Sequence, residues 1–310
     1  MGGNVMKKLL ISILVLSMLL SSFLISCRKK TSESPKETTQ AQTTEPTPEK
    51  VTPQMTTCMS FNILGVDGEP PTIPPGRKRF PYVIELIRTY TPDIICVQEA
   101  NHKPFDWYTS LTEEFTEDGT YGVRTFEEET GVQQTTVNGL MIFYKTEIFD
   151  LVESGGELFA NNRNGKRGFH WVKLHDKRQD KDVFVTNTHW SINKDQAGNN
   201  SEAAGDKDRT NQANALLNFW NSTVKDNILF ACGDYNCNMS SKWFGIASEG
   251  IYKDGKIVKK LDTVGNVDHC FINPNAVRLL HYGYITDKFT MDGKEYRYSD
   301  HTPVFVRVRY

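Results

Sequence analysis

Short apolar runs in this chain repeatedly end in a side chain capable of acid–base or metal chemistry. Met59-Ser60-Phe61 leads to Asn62, and Ile94 to Gln98 leads to Glu99. Val183 to Thr188 leads to His189, and Ile228 to Gly233 leads to Asp234, with Asn236 two residues on. Tyr296 to Ser299 leads to Asp300-His301, whereas Asp268 opens the run Cys270-Phe271-Ile272. Strand ends hold side chains rigidly, and catalytic groups gather there. Singly, each residue has an ordinary explanation. Glu99 suits a surface, Asp234 and Asn236 suit a turn after Gly233, His189 suits a structural hydrogen bond, and Asp300-His301 suits a loop. Asp268 fits less easily, because a semi-buried carboxylate needs a partner. The coincidence of all six sites is what points to function.

Glu99, Asp234, Asp268 and Asp300, with the amides of Asn62 and Asn236, form an oxygen-rich set. Hard oxygen donors suit Mg²⁺, Mn²⁺ or Ca²⁺ rather than zinc. Two histidines among carboxylates suit acid–base work and charge stabilisation. The chain has no Gly-rich phosphate loop of the P-loop type and no Gly-x-Ser-x-Gly elbow, which sets aside nucleotide-driven motors and the commonest serine hydrolases. Metal-assisted attack of water on a phosphate ester remains.

These residues need a framework. Eight runs carry strand chemistry: 58–63, 94–97, 140–144, 170–174, 183–188, 228–232, 267–272 and 304–308. Each is rich in Val, Ile and Phe and bounded by turn formers. Val83, Ile84, Ile87 and Tyr90 have helical spacing, ended by Pro92, and Ala213, Leu216, Leu217 and Trp220 repeat it within a segment from about Asp208 to Val224. A third helix is expected over Lys103 to Phe115. Many strands with few helices predict an α/β or α+β domain with helices outside sheets.

Before this domain the composition is different. Met6-Lys7-Lys8, an apolar stretch from Leu9 to Ile25, and Leu24-Ile25-Ser26-Cys27 read as a signal peptide over 1–26 with a bacterial lipobox. An uncleaved anchor is the alternative, though the run is at the short limit for a bilayer. Residues 27–55 would be the lipidated Cys27 and a disordered tether of Thr, Pro, Glu, Lys, Gln and Ser. Its end-to-end distance is about 30 Å. Residues 56–310 form the domain. Both readings place that domain outside the cytoplasmic membrane, anchored through its N-terminus. With Cys27 used, five thiols remain, an odd number with no Cys-x-x-Cys pair. They read as small buried hydrophobes.

The chain of 310 residues has 38% hydrophobic and 24% charged residues and a net charge of −2, so a strongly basic nucleic-acid coat is excluded. Removal of 1–26 takes away Lys7 and Lys8 and no acidic residue, leaving −4.

In order, Ser-Phe-Asn (60–62), Gln-Glu (98–99), Asn-Thr-His (187–189), Gly-Asp-Tyr-Asn (233–236), Val-Asp-His (267–269) and Ser-Asp-His-Thr-Pro-Val (299–304) resemble the endonuclease/exonuclease/phosphatase superfamily. Arg209 and Gln212 at the head of a helix, and Arg167 before a strand, agree with it. The resemblance implies two mixed β-sheets packed face to face with helices on the outside, a four-layer sandwich with the active site at one end. It implies Glu99 as the principal metal ligand, helped by Asn62 and Asp300. It implies Asp234 as the group that orients or deprotonates the attacking water. Asn236 and His189 would donate to the phosphate, with Arg167 also binding substrate. His301 would be the second histidine, aligned by Asp268. The implied cofactor is Mg²⁺ or Mn²⁺, and the protein is expected to be a monomer.

The expected substrate is a phosphodiester, and an extracytoplasmic nuclease or phosphodiesterase is the leading reading. A sphingomyelinase-like phospholipid phosphodiesterase and a non-catalytic binding lipoprotein are the alternatives. An exposed Trp243-Phe244 pair would favour lipid. A basic groove, built from clusters such as Arg77-Lys78-Arg79 or Arg163 with Lys166-Arg167, would favour nucleic acid.

Overall fold

All eight apolar runs become strands, because their inward side chains fill a core between two sheets. The computed structural model describes residues 54–66, 73–135, 138–160, 167–194, 197–238, 240–247, 253–255 and 266–310. Cys27, the lipobox, residues 1–53 of the leader and tether, Arg163 and Lys166 lie outside the described residues.

In chain order the elements begin with β1 (Met55–Asn62), α1 (Gly76–Tyr90), β2 (Ile94–Gln98), α2 (Trp107–Thr116), β3 (Tyr121–Thr125), α3 (Phe126–Thr130) and β4 (Met141–Lys145). Next come β5 (Phe149–Leu158), β6 (Gly168–Asp176), β7 (Lys181–His189), α4 (Glu202–Phe219) with a π-helical turn Trp220–Val224, and β8 (Ile228–Asp234). The last are α5 (Lys242–Ala247), β9 (Lys253–Asp254), β10 (Asp268–Ile272), β11 (Arg278–Tyr284), β12 (Phe289–Met291), β13 (Lys294–Tyr296) and β14 (Val304–Arg309).

One sheet has the order β11-β14-β1-β2-β4-β3, and the other has β5-β6-β7-β8-β10-β9. The two are built alike. Each has one parallel pair near its centre, β1 with β2 and β7 with β8, and antiparallel neighbours on both sides. The parallel pairs are joined through α1 and α4, as a parallel connection requires. Val172, Val185 and Phe230 from one sheet and Cys58, Ile142 and Val306 from the other share the inter-sheet core. α1 and α2 cover the outer face of the first sheet, with Val83, Ile84, Ile87 and Leu111 buried against Phe61 and Phe143. α4 covers the second through Ala213, Leu216 and Leu217. The expected four-layer sandwich of mixed sheets is therefore present.

The helix starts differ from expectation. α2 begins at Trp107 rather than near Lys103, because the Asp106 side chain accepts from Thr109 N at 3.0 Å and caps it. α4 begins at Glu202, capped by Ser201. Its first turns are polar and show no apolar periodicity.

Topology now explains the clustering of reactive residues. In a parallel pair both carboxyl ends point the same way. Asn62 and Asp234 end β1 and β8, His189 ends β7, and Glu99 follows β2. Antiparallel partners start where these end. Asp268 at the head of β10 is the register partner of Asp234, and β14 begins with Val304 opposite Ser60.

Candidate active site

Asp234 lies at the centre of the pocket. Its Oδ2 is 3.2 Å from His189 Nε2 and 3.7 Å from His301 Nε2, and it accepts from Asn62 Nδ2 at 3.1 Å. His301 Nδ1 is 2.9 Å from Asp268 Oδ2. The two histidines thus meet across one carboxylate, and Asp268 backs the second, as expected.

The electrostatics follow from burial and proximity. Burial alone would raise the Asp234 pKa, but His189 and His301 outweigh it and hold the group well below the usual carboxylate range. Burial alone would depress His301. The charge and hydrogen bond of Asp268, with Asp234 and Asp300 nearby, instead push its pKa up to about 10. Asp268 itself is raised, chiefly by burial, against the pull of His301. His301 is therefore an imidazolium at neutral pH.

The oxygen side of the pocket is organised by Asn62. Its Nδ2 donates to both Glu99 Oε1 and Asp234 Oδ2, each at 3.1 Å, while its Oδ1 accepts from Leu64 N at 3.0 Å. Asn62 thus serves as an amide bridge between two carboxylates. Glu99 Oε2 accepts from Gly65 N at 3.0 Å. Glu99 has a left-handed backbone, φ 63°, rare outside glycine and asparagine. Its N–H is fixed to Asn138 O at 2.6 Å, which holds that conformation. The Asp300 side chain is 43% exposed, and its Oδ1 is 4.0 Å from His301 Nε2. Glu99 and Asp300 fit a hard divalent cation by donor type. Two buried atoms, His189 Nδ1 and Asp268 Oδ1, have no hydrogen-bond partner among the described residues.

Asn236 and Arg167 are engaged with the protein's own backbone. Asn236 N donates to Asp234 Oδ1 and its Nδ2 to Trp190 O, both at 2.9 Å. Arg167 was expected at the substrate. Its Nη1 instead donates to the carbonyls of His189 and Trp190, at 3.0 and 2.5 Å, and it buttresses the end of β7.

Several supports went unassigned in the sequence. Gln98 Nε2 donates to Asn187 Oδ1 at 2.7 Å, and Asn187 Nδ2 donates to Val97 and Met141 carbonyls, which ties the two sheets together beneath the pocket. Ser299 Oγ donates to Asn62 O at 2.7 Å. Buried Arg79 donates to the carbonyls of Ile63, Leu64, Pro74 and Tyr298. The signal for these was a polar residue inside an apolar run or helix. Arg209 and Gln212, within α4 rather than at its head, bind the segment after Trp190 through Ser191 O, Ser191 N and Ser191 Oγ. Beside His301, a cavity of about 230 Å³ is lined by Lys288, Arg297, Tyr298 and Thr302 among others.

The sequence pattern of the Endonuclease/Exonuclease/phosphatase family matches residues 59–301. The chain belongs to this family. A Bacteroides thetaiotaomicron member of the family has a similar solved structure, with TM-score 0.65, 18% identity, and coverage of 84% of this chain and 99% of that one. A mannosyl-6-phosphatase from the same organism gives TM-score 0.65, 19% identity, and coverage of 82% and 100%. TDP2 of D. rerio, complexed with a single-strand DNA product, gives TM-score 0.65, 15% identity, and coverage of 83% and 99%. No curated protein matches the chain in sequence. The family's two-sheet fold and the order of its motifs agree with the geometry above.

Proposed function

We propose that this protein is a divalent-metal-dependent phosphoesterase that cleaves phosphodiester bonds with an activated water, outside the cytoplasmic membrane. The convergence of His189, His301 and Asp234, with Asp268 behind His301, carries this reading. An imidazolium that keeps its charge through neutral pH is suited to the non-bridging oxygens of a phosphate, where negative charge grows during attack. Asp268 keeps it charged and oriented. Asp234, an ionised carboxylate at all ordinary pH, is suited to orient the attacking water by accepting its hydrogen bond. His189 shares Asp234 and supplies a second donor. Glu99 and Asp300 would hold Mg²⁺ or Mn²⁺, with Asn62 setting the angle between Glu99 and Asp234. When bound, that ion supplies a Lewis acid for the phosphoryl oxygens.

The cavity beside His301 is mixed in charge: Lys288 and Arg297 line it with Asp287, Lys288 is paired with Glu295 at 3.4 Å, and Arg297 donates to the Asp300 carbonyl at 2.7 Å. Trp243 argues against a lipid-inserting surface. It is 9% exposed, donates to Asp206 O and stacks under Arg209, 4.2 Å from ring centroid to guanidinium carbon. Arg79 of the basic cluster is buried, so it offers nothing to a nucleic acid. Among the similar structures, one acts on a mannosyl-6-phosphate and one holds a DNA product, which supports phosphate esters as the class. The test is a panel of DNA, RNA, sphingomyelin, a sugar phosphate and a generic phosphodiester, with and without Mg²⁺. Mg²⁺-dependent cleavage of DNA, RNA or the generic diester is expected. Turnover of the sugar phosphate alone, or of sphingomyelin alone, would replace the nuclease reading. No turnover of any substrate would favour a binding lipoprotein.

A further inference from the structure

Four cysteines converge in the core beneath the pocket. Cys58 of β1 and Cys96 of β2 come from one sheet, Cys232 of β8 and Cys270 of β10 from the other, and all four are buried in the core between them. Cys232 Sγ is 3.5 Å from Cys58 Sγ and 3.4 Å from Cys270 Sγ. The sulfurs of Cys58, Cys96 and Cys232 all lie within 4.8 Å of one another. Cys237, also buried, packs instead in the core under α4.

Small buried hydrophobes account for the burial of these residues but not for their meeting. The inner face of each strand offers several apolar positions, and four separate strands each bring a thiol to this region, with Cys232 and Cys270 in direct register and Cys96 two residues further along than Cys58. The spacing has chemical meaning. Four sulfurs at about 2.3 Å from one tetrahedral ion sit about 3.8 Å apart, whereas a disulfide brings them to about 2.0 Å. The observed separations are nearer the first.

We propose that Cys58, Cys96 and Cys232, with Cys270 beside Cys232 as a candidate fourth donor, form a binding site for a soft, thiophilic d¹⁰ ion of the Zn²⁺ or Cu⁺ class. Sulfur donors select such ions, and the oxygen set around Glu99 selects hard ones, so the two sites do not compete. Each thiol that ligates releases its proton to solvent and gives a sulfur lone pair to the ion, with no change of oxidation state. Four thiolates on Zn²⁺ leave a net charge of −2, and two on Cu⁺ leave −1. The cost of a buried charge favours the smaller value. Strand alternation puts Cys58 on the face of Asn62, Cys232 on that of Asp234, and Cys270 on that of Asp268. A bound ion would therefore fix the floor of the pocket from below.

The test uses the full chain, produced with Zn²⁺ in one arm and, anaerobically, with Cu⁺ in the other, then washed with a chelator that strips hard cations. Metal per chain is measured by elemental mass spectrometry, and chain mass by intact-protein mass spectrometry. Co²⁺ is substituted for its thiolate-to-metal absorption band. One equivalent of Zn²⁺ or of Cu⁺ is expected, with the arm that retains it naming the ion. It should be retained in Cys237→Ser and Glu99→Gln and lost in Cys58→Ser and Cys232→Ser. Cys96→Ser and Cys270→Ser, with melting curves for all variants, separate loss of the ion from loss of the fold. Retention of no ion in either arm would overturn the proposal. So would an ion unaffected by the cluster variants, or a wild-type mass lower by two hydrogens from a disulfide within the cluster.

Discussion

His301 is the residue on which the chemistry turns, because its charge is set by a neighbour rather than by the solvent. With a folded pKa of about 10, it is protonated through neutrality and loses its proton only above that value. A rate that needs the imidazolium should be flat from neutral pH upward and fall above about pH 10. Asp268→Asn removes the carboxylate that holds the proton. The alkaline limb of kcat/KM should then move down towards an ordinary histidine, about 6.5. His301→Ala should cost roughly 10²–10³ in kcat. Asp268→Asn added to His301→Ala should cost little more, because both act through one imidazole. Additive losses in the double variant would break the assignment. Glu99→Gln, judged by Mg²⁺ dependence of the rate, should raise the concentration of Mg²⁺ needed for half activity by an order of magnitude or more, and EDTA should abolish turnover in the wild type.

At the scale of elements, the pocket depends on how β1, β2 and the 298–301 segment are joined. Arg79, in the first turns of α1, donates to carbonyls at the end of β1, before α1 and at Tyr298, at 2.6–2.7 Å. Its removal leaves those buried acceptors to find new partners, at about 1–3 kcal/mol for each that fails. Arg79→Met should lower the urea midpoint by the equivalent of several kcal/mol and depress activity, because Asn62 and Asp300 flank the freed segments. A second junction is the close approach of Gly65 to the loop after β2. A Cβ there would collide with the Glu99 carbonyl and the Asn101 side chain. Gly65→Ala should weaken Mg²⁺ binding with a smaller loss of stability than Arg79→Met, read by Mg²⁺ titration beside thermal melting.

For the molecule as a whole, pH acts on stability through the same buried charges. His301 has a raised folded pKa, so its contribution is fully present below about 6.5 and is lost as pH rises through about 10. Asp234 has a depressed pKa, so its contribution is present above about 3.9 and is lost as pH falls below that. Asp268, raised by burial, offsets part of this once ionised. Urea unfolding should therefore show a stability plateau between these limits. His301→Gln should flatten the alkaline fall while leaving the acid fall partly in place. An unchanged alkaline fall in that variant would place its cause elsewhere. The anchoring of the domain has its own test. Intact mass of detergent-extracted protein should give an N-terminus at diacylated Cys27, and an unmodified N-terminus at any other residue would reject the lipoprotein reading.

The strands that the sequence identified share one property, continuous apolar runs, and all eight lie inside the sheets. The strands it did not identify are chiefly edges or short additions. β3 and β11 border one sheet and β5 and β9 the other, and β12 and β13 form a separate hairpin. An edge strand is half solvated, so β5, with Glu153, Gly155 and Gly156, carries too little apolar signal to be read as a strand. The reactive residues were legible because each sits at the boundary of such a run, and parallel pairing sends those boundaries to one end. Orientation was not legible. Whether Asn62 offers oxygen or nitrogen, whether Arg167 faces a substrate or two carbonyls, and whether four cysteines scattered over 213 positions, from 58 to 270, meet at one point depends on contacts between residues remote in sequence. Local patterning determined which strands form and what chemistry stands at their ends. Only the packing of one sheet on the other decided which of those groups touch, because the partners of a buried polar atom are chosen across that interface.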